Sequence, residues 1–114
     1  MIKNNCIGTV KILTGNADNK SFSTSIANIR ATVIPASQET LALYPELPVG
    51  QTYTIIINDN ALTMNLQPES EFIITDAQDS AFAVNDTFQL RGQARKDKIM
   101  GNTIFSFVAV KISN

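Results

Sequence analysis

The chain has 114 residues, of which 44% are hydrophobic and 17% are charged, and its formal net charge is −1. We expect a single domain over residues 1–114, because a chain of this size buries one modest core. The near-zero charge gives no overall field to recruit nucleic acid or an anionic membrane. No apolar run is long enough to span a membrane, and the polar first residues show no signal peptide.

Apolar residues alternate with polar ones through the first third of the chain. This period of two predicts a first strand over about 6–14 and a turn at 15–19. In the following strand, over 22–33, the apolar phase slips by one residue at Ala27 and Asn28. A slip of this kind predicts a β-bulge, which bends a long strand as a small barrel requires.

One short helix is expected between the second and third strands. The second strand ends at Pro35, and Ser37 is a suitable N-cap for a helix over 37–44, with Glu39 in its first turn. The connection carries apolar side chains that must pack on some surface, namely Leu41, Leu43, Tyr44 and Leu47.

The second half of the chain consists of short alternating segments separated by turn residues. They predict strands at 51–57, 72–74, 82–84, 87–95 and 103–112, with the tip of a final long hairpin over 96–102. Leu62, Met64 and Leu66 alternate as a hairpin partner for strand 51–57 would. With one short helix, this spacing predicts an all-β fold, either a small β-barrel or a sandwich.

The apolar phase of each strand predicts the core. We expect these side chains to be mainly buried: Phe22, Ile26, Val33, Tyr53, Ile55, Phe72, Phe88, Leu90, Phe107 and Val110. The last strand is apolar on both faces, with Phe105 on one face and Val108 on the other. The second apolar face is covered either by the helix or by a neighbouring subunit. The residues expected at such an interface are Leu41, Leu43, Tyr44, Phe105 and Val108.

The reactive groups of common active sites are missing from the sequence. There is no histidine, and the single Cys6 is more typical of a small buried side chain than of a nucleophile. The acidic residues fall in turns, and the five glycines are scattered. We therefore expect a protein that is not an enzyme, with no metal site and no cofactor.

Four basic residues cluster around the last hairpin, and they are Arg91, Arg95, Lys96 and Lys98. They are candidates for phosphate contacts, but charges at a hairpin tip also discourage edge-to-edge aggregation. A different class of function follows if aromatic side chains stand beside them. An OB-fold-like single-stranded nucleic-acid-binding domain would then stack bases on Phe88, Phe105 and Phe107.

The run from the end of the second strand into the third resembles a known family. Its V-x-P-A-S pattern at 33–37, the short helical turn and the L-P-x-G-Q corner at 47–51 are similar to small head–tail connector proteins of tailed bacteriophages. These are the head-closure (stopper) and related joining proteins. The resemblance is carried by residues 29–66, whereas the glycine- and tyrosine-containing strand pair of the family is replaced here by residues 69–84.

What this resemblance implies is a mechanical role. Such proteins form a ring that joins the head to the tail and helps to retain packaged DNA. The implied partners are other copies of the chain, portal or adaptor proteins and tail proteins, with at most weak contact with DNA. The implied location is the virion, after assembly in the host cytoplasm. The roles of stopper, joining protein and tail-completion protein all remain open.

Overall fold

In a computed structural model the chain forms a closed six-stranded β-barrel with one short helix. The structure describes residues 6–14, 21–58, 69–77 and 82–113. The strands are β1 (Cys6–Thr14), β2 (Ser21–Pro35), β3 (Thr52–Ile57), β4 (Glu71–Asp76), β5 (Thr87–Ile99) and β6 (Asn102–Ser113). The helix α1 (Gln38–Leu43) and a 3₁₀ turn at Val49–Gln51 connect β2 to β3. The all-β prediction is confirmed, and the barrel is the correct alternative.

The strand order around the barrel is β1-β2-β3-β6-β5-β4, and β4 returns to β1. All six neighbouring pairs are antiparallel. Both edges of β3 are therefore occupied, by β2 and by β6. Leu62, Met64 and Leu66, predicted as a partner of this strand, lie outside the described residues.

The predicted bulge is present in β2. Gly8 pairs with Ile29, and Val10 pairs with Ile26. Two residues of β2, Ala27 and Asn28, therefore lie opposite a single residue of β1, Thr9. Asn28 has a φ of 60°, a left-handed conformation that asparagine tolerates better than most residues. The slip in the apolar phase is thus a real change of register.

The barrel interior is filled by the apolar phase of all six strands. The largest fully buried side chains include Phe72, Phe88 and Phe105, and Tyr53 and Phe82 pack edge-to-face against Phe88 at ring distances of 5.4 and 5.7 Å. Most of the predicted core is confirmed: Val33, Ile55, Phe72, Phe88, Leu90, Phe107 and Val110 are buried, and Ile26 and Tyr53 are partly buried. The side chain of Phe22 lies outside the described residues.

The predicted strand at 82–84 is wrong. Residues 82–86 form a bend and a turn in which Asn85 has a φ of 77°. The Asp86 carboxylate accepts a hydrogen bond from the Ala83 N–H at 3.0 Å, and Asn85 N–H donates to the Ile74 carbonyl at 2.8 Å. These bonds fix a turn against β4 where the sequence pattern alone indicated an extended segment.

Candidate functional site: the β5–β6 hairpin and the helical connection

The β5–β6 hairpin ends in a two-residue turn formed by Met100 and Gly101. Lys98 pairs with Thr103 and Ile99 pairs with Asn102, so the ladder runs to the end of both strands. The φ angles of Met100 and Gly101 are 50° and 83°, as a type I′ hairpin turn requires. The Met100 side chain is 96% exposed. An apolar side chain therefore stands at the tip of the hairpin in a backbone conformation that favours Gly, Asn or Asp.

The four basic residues predicted for this hairpin have different environments. Arg95, Lys96 and Lys98 are exposed and lie between the barrel and the tip, whereas Arg91 is half-buried and lies on the barrel side of a register shift. Arg95 forms a 3.0 Å ion pair with Asp97. Lys96 places its ammonium group 5.7 Å from the centre of the Phe105 ring, within the range of a cation–π contact.

The aromatic residues proposed as stacking platforms are not on this surface. Phe88, Phe105 and Phe107 are 0%, 1% and 6% exposed, respectively. They point into the barrel because their register partners are core residues: Phe88 pairs with Phe72, and Phe107 pairs with Ile55. The basic hairpin therefore carries no base-stacking surface made from these three rings.

The helical connection is bound to the barrel only in part. Ser37 caps α1 by accepting a hydrogen bond from the Thr40 N–H at 3.2 Å, as predicted. The helix has no buried residue: Leu41 is half-buried and Leu43 is 78% exposed. Tyr44, the C-cap, is half-buried.

A groove of about 210 Å³ separates this helix from the outer wall of the barrel. Its walls include Leu43 and Tyr44 from the helical connection, Val108 from β6 and Arg95 from β5. Leu43, Tyr44 and Val108, three of the residues predicted at a subunit interface, therefore line one groove. Their role at an interface stays a prediction. Phe105, which was predicted at the same interface, does not lie on this surface, because its side chain faces the core and is 1% exposed.

The outer face of β6 is covered unevenly. Val110 is 5% exposed although it alternates with the core-facing residues of the strand. Its register partner Thr52 is 2% exposed and donates a hydrogen bond to the Pro48 carbonyl at 2.6 Å, which places the end of the connection against this part of the wall. Ile112, further along β6, is 44% exposed.

Charge is strongly segregated along the chain, a signal that the net charge conceals. Residues 31–90 contain eight of the ten acidic residues and no Lys or Arg. Residues 91–114 contain five of the nine basic residues and a single acid. Counting charge in windows along the sequence would have revealed that the hairpin is basic whereas the helical connection, with exposed Glu39 and Glu46, is acidic.

The described residues contain no cluster of three or more His, Cys, Asp or Glu side chains that could hold a metal ion. Cys6 is fully buried, its thiol lies 3.7 Å from the Ala31 carbonyl oxygen, and burial raises its pKa to about 12. A thiol in this environment is protonated at neutral pH and is a poor nucleophile. Within the described part of the chain, no helix has the length and apolar character needed to cross a membrane.

Comparison with known proteins shows similarity of fold. The chain is similar to the solution structure of protein SF1141 from Shigella flexneri 2a, with a TM-score of 0.60 and 14% sequence identity over 97% of this chain and 95% of that one. No protein-family model matches the sequence. No curated protein matches it either.

Proposed function

We propose that this protein is a non-enzymatic structural component of a tailed-bacteriophage virion, which assembles as a ring that joins the head to the tail. The observation that carries the proposal is the pairing of a closed barrel with two exposed elements, the β5–β6 hairpin and the α1 connection. Leu43 and Met100, one on each element, are the two most exposed large apolar side chains of the described chain. Leu43 also lines a groove with Tyr44 and Val108, and apolar side chains grouped in this way at a surface are typical of assembly sites.

The sequence resemblance supports the same proposal. The strand end at Pro35, the Ser37-capped helix and the Pro48–Gly50 corner before β3 are the elements on which the resemblance to connector proteins rests. The partners would be other copies of the chain, portal or adaptor proteins and tail proteins, and the location would be the virion after assembly in the bacterial cytoplasm. The choice among stopper, joining and tail-completion roles stays open.

The basic hairpin would make at most weak contact with DNA in this role. Three exposed cations within one hairpin can interact with phosphates, and such binding falls steeply with salt. Strong binding would oppose the passage of DNA through a ring. We expect weak, salt-sensitive retention of single-stranded DNA in a filter-binding assay.

Size-exclusion chromatography with light scattering tests the proposal, followed by electron microscopy of the largest species. The expected result is a closed ring of uniform subunit number, and binding of that ring to portal or tail proteins. A protein that stays monomeric at high concentration, and also in the presence of candidate portal and tail proteins, would contradict the proposal.

An OB-fold-like single-stranded nucleic-acid-binding domain is the alternative, supported by the exposed Arg95, Lys96 and Lys98. Two findings count against it: the rings of Phe88, Phe105 and Phe107 are in the core, and the barrel has six strands where an OB-fold has five. A monomer that binds single-stranded DNA tightly at physiological salt would favour this alternative.

A further inference from the structure

The tip of the β5–β6 hairpin combines exposure with backbone strain. Met100 is 96% exposed and has a φ of 50°, which is unfavourable for a side chain of its kind. Neither property stabilises the isolated chain, and an Asn at this position would adopt the turn more easily. A methionine in such a position is suited to filling a gap on another surface, because its unbranched side chain adapts to irregular cavities.

The groove between α1 and the outer wall of the barrel has an apolar lining, which is complementary to an exposed methionine. It measures about 210 Å³, and its lining includes the apolar side chains of Leu43, Tyr44 and Val108. Leu43 is 78% exposed, so within the described chain nothing covers this wall of the groove. The groove is large enough to admit an unbranched side chain.

The hairpin tip cannot fill the groove of its own chain. Arg95 lines the groove, and Met100 lies five residues after it, directly beyond the end of β5 at Ile99. At about 3.4 Å per residue, the extended strand carries Met100 roughly 17 Å beyond that point. The hairpin ladder is continuous from Arg95 to Ile99, so the strand does not fold back. A tip that enters such a groove must therefore belong to another molecule.

Charge complementarity identifies that molecule as a second copy. Lys98 is exposed two residues before Met100, and Glu39 and Glu46 are exposed on the helical connection. No Lys or Arg occurs between residues 31 and 90 to neutralise the connection locally. Arg95, at the groove, is engaged by Asp97. Attraction between a basic tip and an acidic helical connection favours an orientation in which the tip of one copy faces the connection of another.

We propose that the Met100 tip of one copy docks in the groove between α1 and β6 of the next copy, head to tail. A single tip–groove contact between two copies is heterologous, whereas two reciprocal contacts would close a symmetric dimer. The proposed ring requires the single contact, in which each copy contacts two neighbours. Repeated heterologous contacts close into a ring or continue as a filament. The inference rests on the proposed ring function and assigns the residues of its subunit contact.

Two single substitutions test the contact from its two sides. Met100→Asn removes the apolar tip and suits the turn, and Leu43→Asp places a charge in the groove at a site that is largely exposed in the monomer. Val84→Asp, at a side chain that is 55% exposed on the turn at 82–86, is the matched control. In sedimentation velocity, each test variant should raise the apparent dissociation constant of self-association at least about tenfold. The control should change it less than about threefold.

A mixing experiment tests whether the tip and the groove are partners, and wild-type assemblies larger than a dimer would exclude a reciprocal, symmetric pair of contacts. Met100→Asn retains the groove, and Leu43→Asp retains the tip. Each variant alone should be monomeric, whereas their mixture should form a complex of one copy of each and stop there. Absence of a complex on mixing, or self-association of both variants as in the wild type, would overturn the inference.

The outcomes separate this inference from the proposed function. Wild-type rings that persist in both variants would refute the Met100 contact and leave the ring proposal standing. Assembly that follows the predicted pattern, without binding to portal or tail proteins, would support the contact and contradict the connector role. A wild-type protein that never self-associates would refute the contact.

Discussion

The barrel interior and the hairpin tip differ in the burial of their apolar side chains and in backbone conformation. In the interior, Phe72, Phe88 and Phe105 are almost fully buried, and neighbouring strands place their side chains in one core. At the tip, Met100 is 96% exposed and occupies a left-handed conformation. The interior satisfies local preference and burial together. At the tip, the apolar side chain is exposed and the backbone conformation is unfavourable for it. The two regions are nevertheless linked by one strand, β5, which ends directly before Met100.

This contrast indicates that the stability of the isolated chain accounts for the residues of the interior but not for the methionine at the tip. Residues that conflict with local preferences in a well-packed domain concentrate at functional sites. The conflict lies in the turn beyond the last pair of the β5–β6 ladder, Ile99 with Asn102. The following predictions test whether substitutions in the interior change the free energy of unfolding more than substitutions at the tip do.

Phe107→Ala should have the largest effect on folding. Phe107 is 6% exposed and its loss leaves a cavity in the core, so we expect the free energy of unfolding to fall by about 3–5 kcal/mol. Leu43→Ala, at the exposed helix, is the matched change outside the barrel and should alter it by less than about 0.5 kcal/mol. Urea denaturation measures both. A loss below about 1 kcal/mol for Phe107→Ala would place this ring outside the core.

Gly8→Ala should destabilise the barrel by roughly 1–3 kcal/mol, because the added methyl group would overlap its neighbours. A Cβ at Gly8 would lie 2.6 Å from the tip of the Phe72 ring and in contact with the Ile73 carbonyl oxygen. Gly50→Ala is the control, since a Cβ there meets nothing within 4 Å. Equal thermal midpoints for the two variants would show that β1 and β4 can separate freely at Gly8.

The buried thiol of Cys6 should make the barrel sensitive to alkaline pH. Its pKa is raised from 9.0 to about 12 by burial, so the unfolded chain loses this proton at a lower pH than the folded chain. The stabilisation is complete below pH 9 and is lost progressively up to about pH 12. Between pH 8 and pH 10 the free energy of unfolding should fall by about 1–2 kcal/mol through this group.

Cys6→Ala provides the reference for this pH dependence, because other groups also titrate in the alkaline range. The difference in pH slope between wild type and variant isolates the thiol. Identical slopes would mean that the folded barrel admits the thiolate.

The smallest effects are expected at the tip, and one of them should be stabilising. Met100→Asn should raise the free energy of unfolding by about 0.5–1 kcal/mol, because Asn adopts the left-handed conformation more readily. Gly101→Ala, at a φ of 83°, should lower it by about 1 kcal/mol. Dilute protein avoids any contribution from association. Destabilisation by Met100→Asn would show that Met100 contributes to the stability of the isolated chain.

Much of the fold follows from local patterns in the sequence. The bulge at Ala27 and Asn28 was predictable because a change of register moves the apolar side chains from even-numbered to odd-numbered positions. The helix start was predictable because Ser37 can satisfy a free N–H group. The failure at 82–84 has a tertiary cause: the turn there depends on hydrogen bonds that join Asn85 and Asp86 to Ile74. No local pattern encodes a partner that is about ten residues away.

The candidate site was predictable only in part. Both faces of β6 are apolar, so alternation alone could not decide whether Phe105 or Val108 faces outward. The decision comes from pairing, which aligns Phe105 with Ile57 and Val108 with Thr54. The hairpin tip was predicted over 96–102, but its two turn residues were not apparent, because an apolar residue between Ile99 and Gly101 does not by itself indicate a turn position. The charge segregation, in contrast, was visible in the sequence.

The strands of the barrel are joined by ladders of very different length. β5 and β6 pair from Thr87–Ser113 to Ile99–Asn102, whereas the described β4–β5 ladder extends only from Glu71–Gln89 to Ile73–Thr87. Four backbone bonds extend this seam, two that join Leu90 to Glu69 and Ser70 and two that join Ile74 to Asn85 and Asp86. Parts of a fold with fewer paired backbone groups open at a lower free energy than the rest. We expect the barrel to open first along this seam, with both long hairpins, β1–β2 and β5–β6, intact.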